Sequence, residues 1–136
     1  MSKLKEEIYI VEPLRTPIGK FGGSLASESA VQLGSFIARE VVSRAGVDAS
    51  AVDELIFGHA RQAGAGPNPA RQISVRSGLS ETVPAYTVNQ ACASGMRAVW
   101  SGADQIRLGE AHLILAGGTE SMSNTPYMVP RVRWGL

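Results

Sequence analysis

The stretch Val88-Asn89-Gln90-Ala91-Cys92-Ala93-Ser94-Gly95-Met96 reads as the end of a strand and the start of a helix. The short apolar run Ala85-Tyr86-Thr87-Val88 leads into it. A helix-like stretch from Met96 to Leu108 leads out, with Met96, Val99, Trp100, Ala103 and Ile106 at helical spacing and Gly109 as its stop. The one cysteine of the chain therefore falls on a strand-to-helix turn, beside the first free amides of a helix. Amides and helix dipole at such a point stabilise an anion. The competing reading is a small buried residue, the usual fate of a lone cysteine.

Working outward, Ile8-Tyr9-Ile10-Val11 has the β-branched and aromatic make-up of a buried strand and ends at Pro13. Ser29 and Gln32 have capping-box spacing, and Ala30, Leu33, Ile37, Ala38 and Val41 then share one helical face until Gly46. Val52 to Phe57 is a further strand, closed by Gly58. Asn68-Pro69 opens a shorter helix, with Asn as cap and Pro at the first position, and Gly78 ends it. His112 to Ala116 is the last strand, followed by the polar, glycine-rich run Gly117-Gly118-Thr119-Glu120-Ser121-Met122-Ser123-Asn124. The order β-α-β-α-β-α-β predicts an α/β fold, with a mixed, mainly parallel sheet covered by helices. Residues 1–118 carry these elements. Residues 119–136 read as a long loop, which suggests a binding segment or an unfinished domain.

Composition bounds the function. At 136 residues, with 44% hydrophobic and 18% charged residues, the chain is long and apolar enough for a packed core. A net charge of +1 gives no general attraction to nucleic acid or to an acidic membrane. A lone cysteine forms no internal disulfide, which favours a reducing compartment. No apolar run reaches the roughly 20 residues that span a bilayer, and the charged start lacks a signal-peptide core. The expected location is the cytoplasm. One cysteine and two distant histidines make no metal site.

A sharp bend at the carboxyl end of a strand exposes its turn residue, and the following amides can hold an acyl oxyanion. Small Ala93 and Ser94 leave room for substrate, and Gly95 permits close backbone approach. The turn suits a thiolate attacking a carbonyl, but it supplies neither base nor acid. Of the histidines, His112 begins a strand and is at the wrong end of a parallel sheet. His59 follows a strand and is at the right end, though nothing else marks it. A surface or capping role is the reading for both. Gly64-Ala65-Gly66-Pro67-Asn68-Pro69-Ala70-Arg71-Gln72 could hold a phosphate at a helix start, but it fits neither phosphate-loop nor dinucleotide patterns, so a structural loop or a subunit contact is preferred. The basic tail Arg131-Val132-Arg133-Trp134 reads as solvated or phosphate-touching.

The segment from Val88 to Val99 resembles the nucleophile segment of thiolases, which condense two acyl-CoA molecules or cleave a 3-ketoacyl-CoA. Four more stretches agree in order and spacing: Arg15 to Gly23, Gln62 to Gln72, Ala116 to Asn124 and Pro130 to Gly135. The resemblance implies that Cys92 is the acylated cysteine and that two similar halves pack as a five-layered αβαβα sandwich. It implies coenzyme A thioesters as substrates and no permanently bound cofactor. It also implies a second cysteine as acid/base, a Gly-His-Pro histidine that activates the first, and an Asn-Glu-Ala-Phe asparagine that holds a water. None of these three segments is in this sequence, which resembles only the first third of a thiolase. Residues 1–118 are then an incomplete amino-terminal thiolase domain without its final strand, and 119–136 begin the loop region that covers substrate.

A truncated or nicked thiolase would explain this, as would one subunit of a split enzyme. The split reading is preferred, because a break in a loop cuts no core element. The expected partner is a complementary chain carrying the missing segments, the pair forming a higher homo-oligomer without nucleic acid or membrane. The expected activity is acyl transfer between CoA thioesters, with acetyl-CoA and acetoacetyl-CoA as substrates. A decarboxylating condensing enzyme and a non-catalytic structural partner of the same fold are the alternatives.

Overall fold

The computed structural model describes residues 7–135. Three strands form one parallel sheet: β1 (Glu54–Gly58), β2 (Ala85–Val88) and β3 (Ile114–Gly118), in the order β2-β1-β3. Three helices accompany them: α1 (Ala30–Ala45), α2 (Pro69–Ser77) and α3 (Ser94–Leu108). In register, Gly58 lies beside Val88 on one side and Gly118 on the other. All three strands therefore end together, and the loops that leave them share one edge of the sheet.

The helix ends follow from local chemistry. The Ser29 side chain accepts from the Gln32 amide, and the Gln32 side chain accepts from the Ser29 amide, so the capping box closes in both directions. Gly46, Gly78 and Gly109 end α1, α2 and α3 in the left-handed conformation that only glycine adopts without a steric cost.

Each face of the sheet has its own helical cover. Leu55 and Phe57 point to a cluster with Val31 of α1, Ala70 and Ile73 of α2, and Leu115 of β3. Ile56, between them, faces the other side, where Ala98 and Gly102 of α3 are buried. Burying side chains the size of Leu55 or Ile73 contributes roughly 1.5–3 kcal/mol each. Close approach sets the glycines: a Cβ on Gly34 of α1 would lie 2.5 Å from Ile73 Cδ1, and one on Gly102 would lie 3.0 Å from Ile114 Cγ2.

Two expectations are corrected here. Residues 8–11 form no strand, and Tyr9, Ile10 and Val11 are 61–74% exposed. A strand needs a neighbour whose ladder groups match its own, and β2 and β3 each pair only with β1 among the described residues. Strand propensity expresses fit to a half-buried pleated surface, and these residues have none to lie on. The buried stripe of α3 is Ser94, Ala98 and Gly102, whereas Met96 and Trp100, at 70% and 59% exposure, face away from the sheet. Small residues let the helix approach the sheet closely, which leaves the large side chains of Met96 and Trp100 on the outer face. The buried stripe of α1 is shifted in the same way, onto Ala30, Val31, Gly34, Ser35 and Ala38, to meet α2.

The start of the sheet is fastened by Asp53. Its carboxylate accepts from the His112 amide at 2.7 Å and the Leu113 amide at 3.0 Å. Those two backbone bonds hold its carboxyl below the ordinary carboxylate value. A carboxyl that titrates lower in the folded state stabilises the fold above its ordinary value, and that contribution is lost as pH falls through the folded value. Asp53→Ala is expected to cost about 1 kcal/mol at neutral pH, the group being substantially exposed. The difference from wild type should shrink in acid below the ordinary carboxylate range. Urea unfolding of both proteins at the two pH values measures this, and an equal difference at both would contradict it.

Candidate active site

Cys92 is exposed and stands at the carboxyl edge of the sheet, two residues before α3 begins. The reading of it as a buried packing residue is therefore set aside. The turn around it is built by hydrogen bonds from both flanks. Ser94 is buried, and its Oγ accepts from the Gln90 amide at 2.9 Å and donates to the Ala91 carbonyl at 2.6 Å. Asn89 Oδ1 accepts from the Ala91 amide at 2.9 Å.

Between them Ala91 has a φ of 51°, left-handed for a residue with a Cβ. That conformation costs a non-glycine residue roughly 1–2 kcal/mol. Three side-chain bonds of about 1 kcal/mol each are enough to hold it. The bent backbone puts Cys92 at the tip of the turn.

The helix start is pressed against the strand ends. The Ala93 amide donates back to the Gln90 carbonyl and the Ser94 amide to the Ala91 carbonyl, and the Arg97 amide makes the first four-residue helical bond, to Ala93. The amides of Gly95 and Met96 therefore lie in the first turn of α3, where a helix offers no internal acceptor. This end can sit there only because three glycines meet. A Cβ on Gly58 would come within 2.3 Å of the Ser94 carbonyl carbon and 2.4 Å of the Gly95 nitrogen, and one on Gly118 within 2.9 Å of the Gly95 Cα.

His59, which directly follows β1, is buried at 2% exposure, so it is not the surface residue anticipated. Its Nδ1 lies 2.9 Å from the Thr119 carbonyl and 3.2 Å from Glu120 Oε1. Both neighbours are acceptors, which assigns the hydrogen to Nδ1. Its Nε2 is buried with no hydrogen-bond partner among the described residues. His112, by contrast, is 95% exposed in its side chain and 3.9 Å from Asp53, a surface histidine at the opposite edge of the sheet.

The run after β3 is not a loose loop in its first half. Thr119 Oγ1 donates to the Ala30 carbonyl, Ser121 Oγ to Glu28, and Asn124 Nδ2 to Ala26 and Glu28. This stitches residues 119–124 to the entry of α1. A groove of about 520 Å³ lies beside this segment, lined by Arg15, Lys20, Phe21, Ile37 and Glu120 among others. Cys92 borders neither this groove nor the smaller cavity of about 180 Å³ next to His59.

The glycine loop 64–67 is braced by internal hydrogen bonds. Gln72 Nε2 donates to the carbonyls of Ala65 and Pro67, and the start of α2 is occupied by Asn68 Oδ1 and Thr87 Oγ1, which accept from Arg71 and Ala70. No group of three or more potential metal ligands occurs among the described residues.

Asn89 and Glu120 are parts of the site that the sequence reading misses, and Ser94, read there only as a small residue, is a hydrogen-bonding brace of the turn. Asn89 carried a usable local signal, since an Asn side chain that bonds the amide two residues on is an Asx turn. Glu120 carried none, because its partners are about sixty positions away.

The chain is a parallel α/β layer with its one cysteine exposed on a strained strand-to-helix turn. Sequence comparison gives the family. The profile "Thiolase, N-terminal domain" matches residues 8–136, and the chain belongs to the thiolase family. It is 52% identical over 128 residues to the cytosolic acetyl-CoA acetyltransferase of Gibberella zeae, covering 94% of this chain and 32% of that protein. It is 44% identical over 132 residues to the acetyl-CoA acetyltransferase of Syntrophomonas wolfei, covering 97% and 33%. The crystal structure of the Bacillus anthracis acetyl-CoA acetyltransferase superposes with a TM-score of 0.86 at 43% identity, over 90% of this chain and 31% of that one. An Ascaris suum thiolase in complex with coenzyme A gives 0.85 at 42%, over 87% and 31%. The chain thus spans about a third of the length of the relatives it matches.

Proposed function

We propose that this chain carries the nucleophile of an acetyl-CoA acetyltransferase-type thiolase, with Cys92 as the acylated residue. The observation that carries the reading is the position of Cys92: exposed, on a turn held in a strained conformation, with the first amides of α3 beside it. In the first step the thiolate attacks the thioester carbonyl, the new S–C bond forms, the old one breaks, and coenzyme A leaves as a thiol after taking a proton. The acyl-cysteine is then attacked by the deprotonated α-carbon of a second acyl-CoA, which frees Cys92. Acetyl-CoA and acetoacetyl-CoA are the proposed substrates, following the names of the relatives.

The proton transfers need groups within hydrogen-bond reach of Cys92. We assign them to a complementary polypeptide carrying the Gly-His-Pro histidine, the second cysteine and the Asn-Glu-Ala-Phe asparagine that the thiolase resemblance implies. Exposed Met96 and Trp100 on α3 and the outer side of β3, unpaired among the described residues, support a covering layer, and they are the surfaces it would complete. Among the described residues no helix is long and apolar enough to cross a membrane. We place the pair in the cytoplasm as a higher oligomer, with residues 119–136 beginning the substrate-covering region.

The test is reconstitution. The 136-residue chain alone should show no acetyl exchange between CoA thioesters and should self-associate. Together with a chain bearing the three missing segments it should become active. Full turnover by a well-dispersed monomer of the isolated chain would overturn the assignment of the acid–base groups to a partner.

A further inference from the structure

Glu120 and His59 lie about sixty positions apart in sequence and meet at the carboxyl edge of the sheet. The Glu120 carboxylate accepts from the Ala60 amide at 3.0 Å and from the Arg61 amide at 3.2 and 3.3 Å. Its Oε1 also lies 3.2 Å from His59 Nδ1. The segment it clamps is the one that holds Asn89, because the Ala60 carbonyl accepts from Asn89 Nδ2 at 3.0 Å. Asn89 in turn holds the Ala91 amide at 2.9 Å, and Ala91 is the strained residue immediately before Cys92.

These contacts form one unbroken relay from the segment after β3, through the 59–61 backbone and Asn89, to the thiol-bearing turn. Both ends are anchored elsewhere. Glu120 sits in a segment tied to the entry of α1 by Thr119 and Ser121, and the turn is tied to α3 by Ser94.

We propose that Glu120, seated against His59, is a positioning residue for Cys92. It acts through the Ala60 and Arg61 amides and the side chain of Asn89, and it fixes the left-handed Ala91 that aims the thiol. The inference rests on Cys92 being the reactive group, but it concerns the geometry of the thiol rather than the reaction the thiol performs. A carboxylate suits the role because its two charged oxygens accept from the Ala60 and Arg61 amides together. His59 suits it because its buried ring, with the Nδ1 hydrogen bonded to the Thr119 carbonyl at 2.9 Å, holds the residue next to Glu120 against the 59–61 backbone. Asparagine at position 59 would present its Nδ2 donor in place of that Nδ1 hydrogen.

The experiment measures the rate at which iodoacetamide alkylates Cys92 in the full chain, read by intact mass, alongside hydrogen exchange of the 59–61 and 89–94 segments. Glu120→Ala is expected to raise exchange in both segments and to change the alkylation rate by at least about fivefold, while α2 keeps its protection. Asn89→Ala should change the alkylation rate similarly. The double variant should be no worse than the stronger single one, because the two residues act in series. His59→Asn should restore rates close to wild type, whereas His59→Leu should not. Multiplying effects in the double variant would overturn the relay, as would loss of protection at 59–61 with Cys92 alkylation unchanged. If Glu120→Ala also strips α2 of protection, Glu120→Gln replaces it, and an unchanged alkylation rate there counts against the proposal. Alkylation requires no acyl transfer, so a negative result here is separable from failure of the thiolase reading.

Discussion

Incubation of the reconstituted enzyme with acetyl-CoA is expected to add one acetyl group to the 136-residue chain, and Cys92→Ala is expected to abolish both the adduct and turnover. The nucleophile forms the covalent bond on which the second half-reaction depends, so its loss should lower the rate by at least about a thousandfold. The thiol is the only one in the chain, so an adduct that is present in the wild type and lost in Cys92→Ala is assigned to it. Cys92→Ser retains an oxygen nucleophile on the same turn and should still fail, because nothing in this chain's turn activates a hydroxyl. Turnover unaffected by Cys92→Ala, with no acetyl adduct on the wild-type chain, would remove the assignment.

The second large effect is structural. Gly58→Ala is expected to destabilise the fold by about 3 kcal/mol or more, at the upper end of what a single added methyl group costs in a packed interior. The reason is the identity of the obstruction. The new Cβ would meet the Ser94 carbonyl carbon and the Gly95 nitrogen at 2.3–2.4 Å, and those are backbone atoms that no side-chain rotation can move. Either the start of α3 lifts off the strand ends, carrying Cys92 with it, or β1 shifts. Gly46→Ala is the control. Its φ of 64° makes alanine costly by about 1 kcal/mol, yet no atom lies within 4 Å of the added Cβ. Denaturant midpoints of the two variants should therefore differ widely, and similar midpoints would show that the α3 contact is more compliant than its geometry indicates.

Much of this protein was legible without coordinates, and what was legible was local. The Ser29–Gln32 capping box, the Asn68-Pro69 helix start and the glycine stops at 46, 78 and 109 depend on residues within a few positions of each other. The structure places them as read. The parallel sheet followed from helices alternating with strands. The turn position of Cys92 followed from a strand and a helix on either side of it.

Tertiary structure decided what depends on distant neighbours. Ile8-Tyr9-Ile10-Val11 has the composition of a strand, but pairing belongs to two segments and not to one, and no described neighbour pairs with it. Met96 and Trp100 have the spacing of a buried face, yet the sheet selected the small face Ser94, Ala98 and Gly102, since close packing rewards fit more than size. His59 and Glu120 meet across about sixty residues, and no local pattern announces such a contact. The sequence by itself determined where the chain turns and which residue stands at the turn. Only the folded sheet, by bringing Gly58, Val88 and Gly118 to one edge, decided which side chains hold that residue in place.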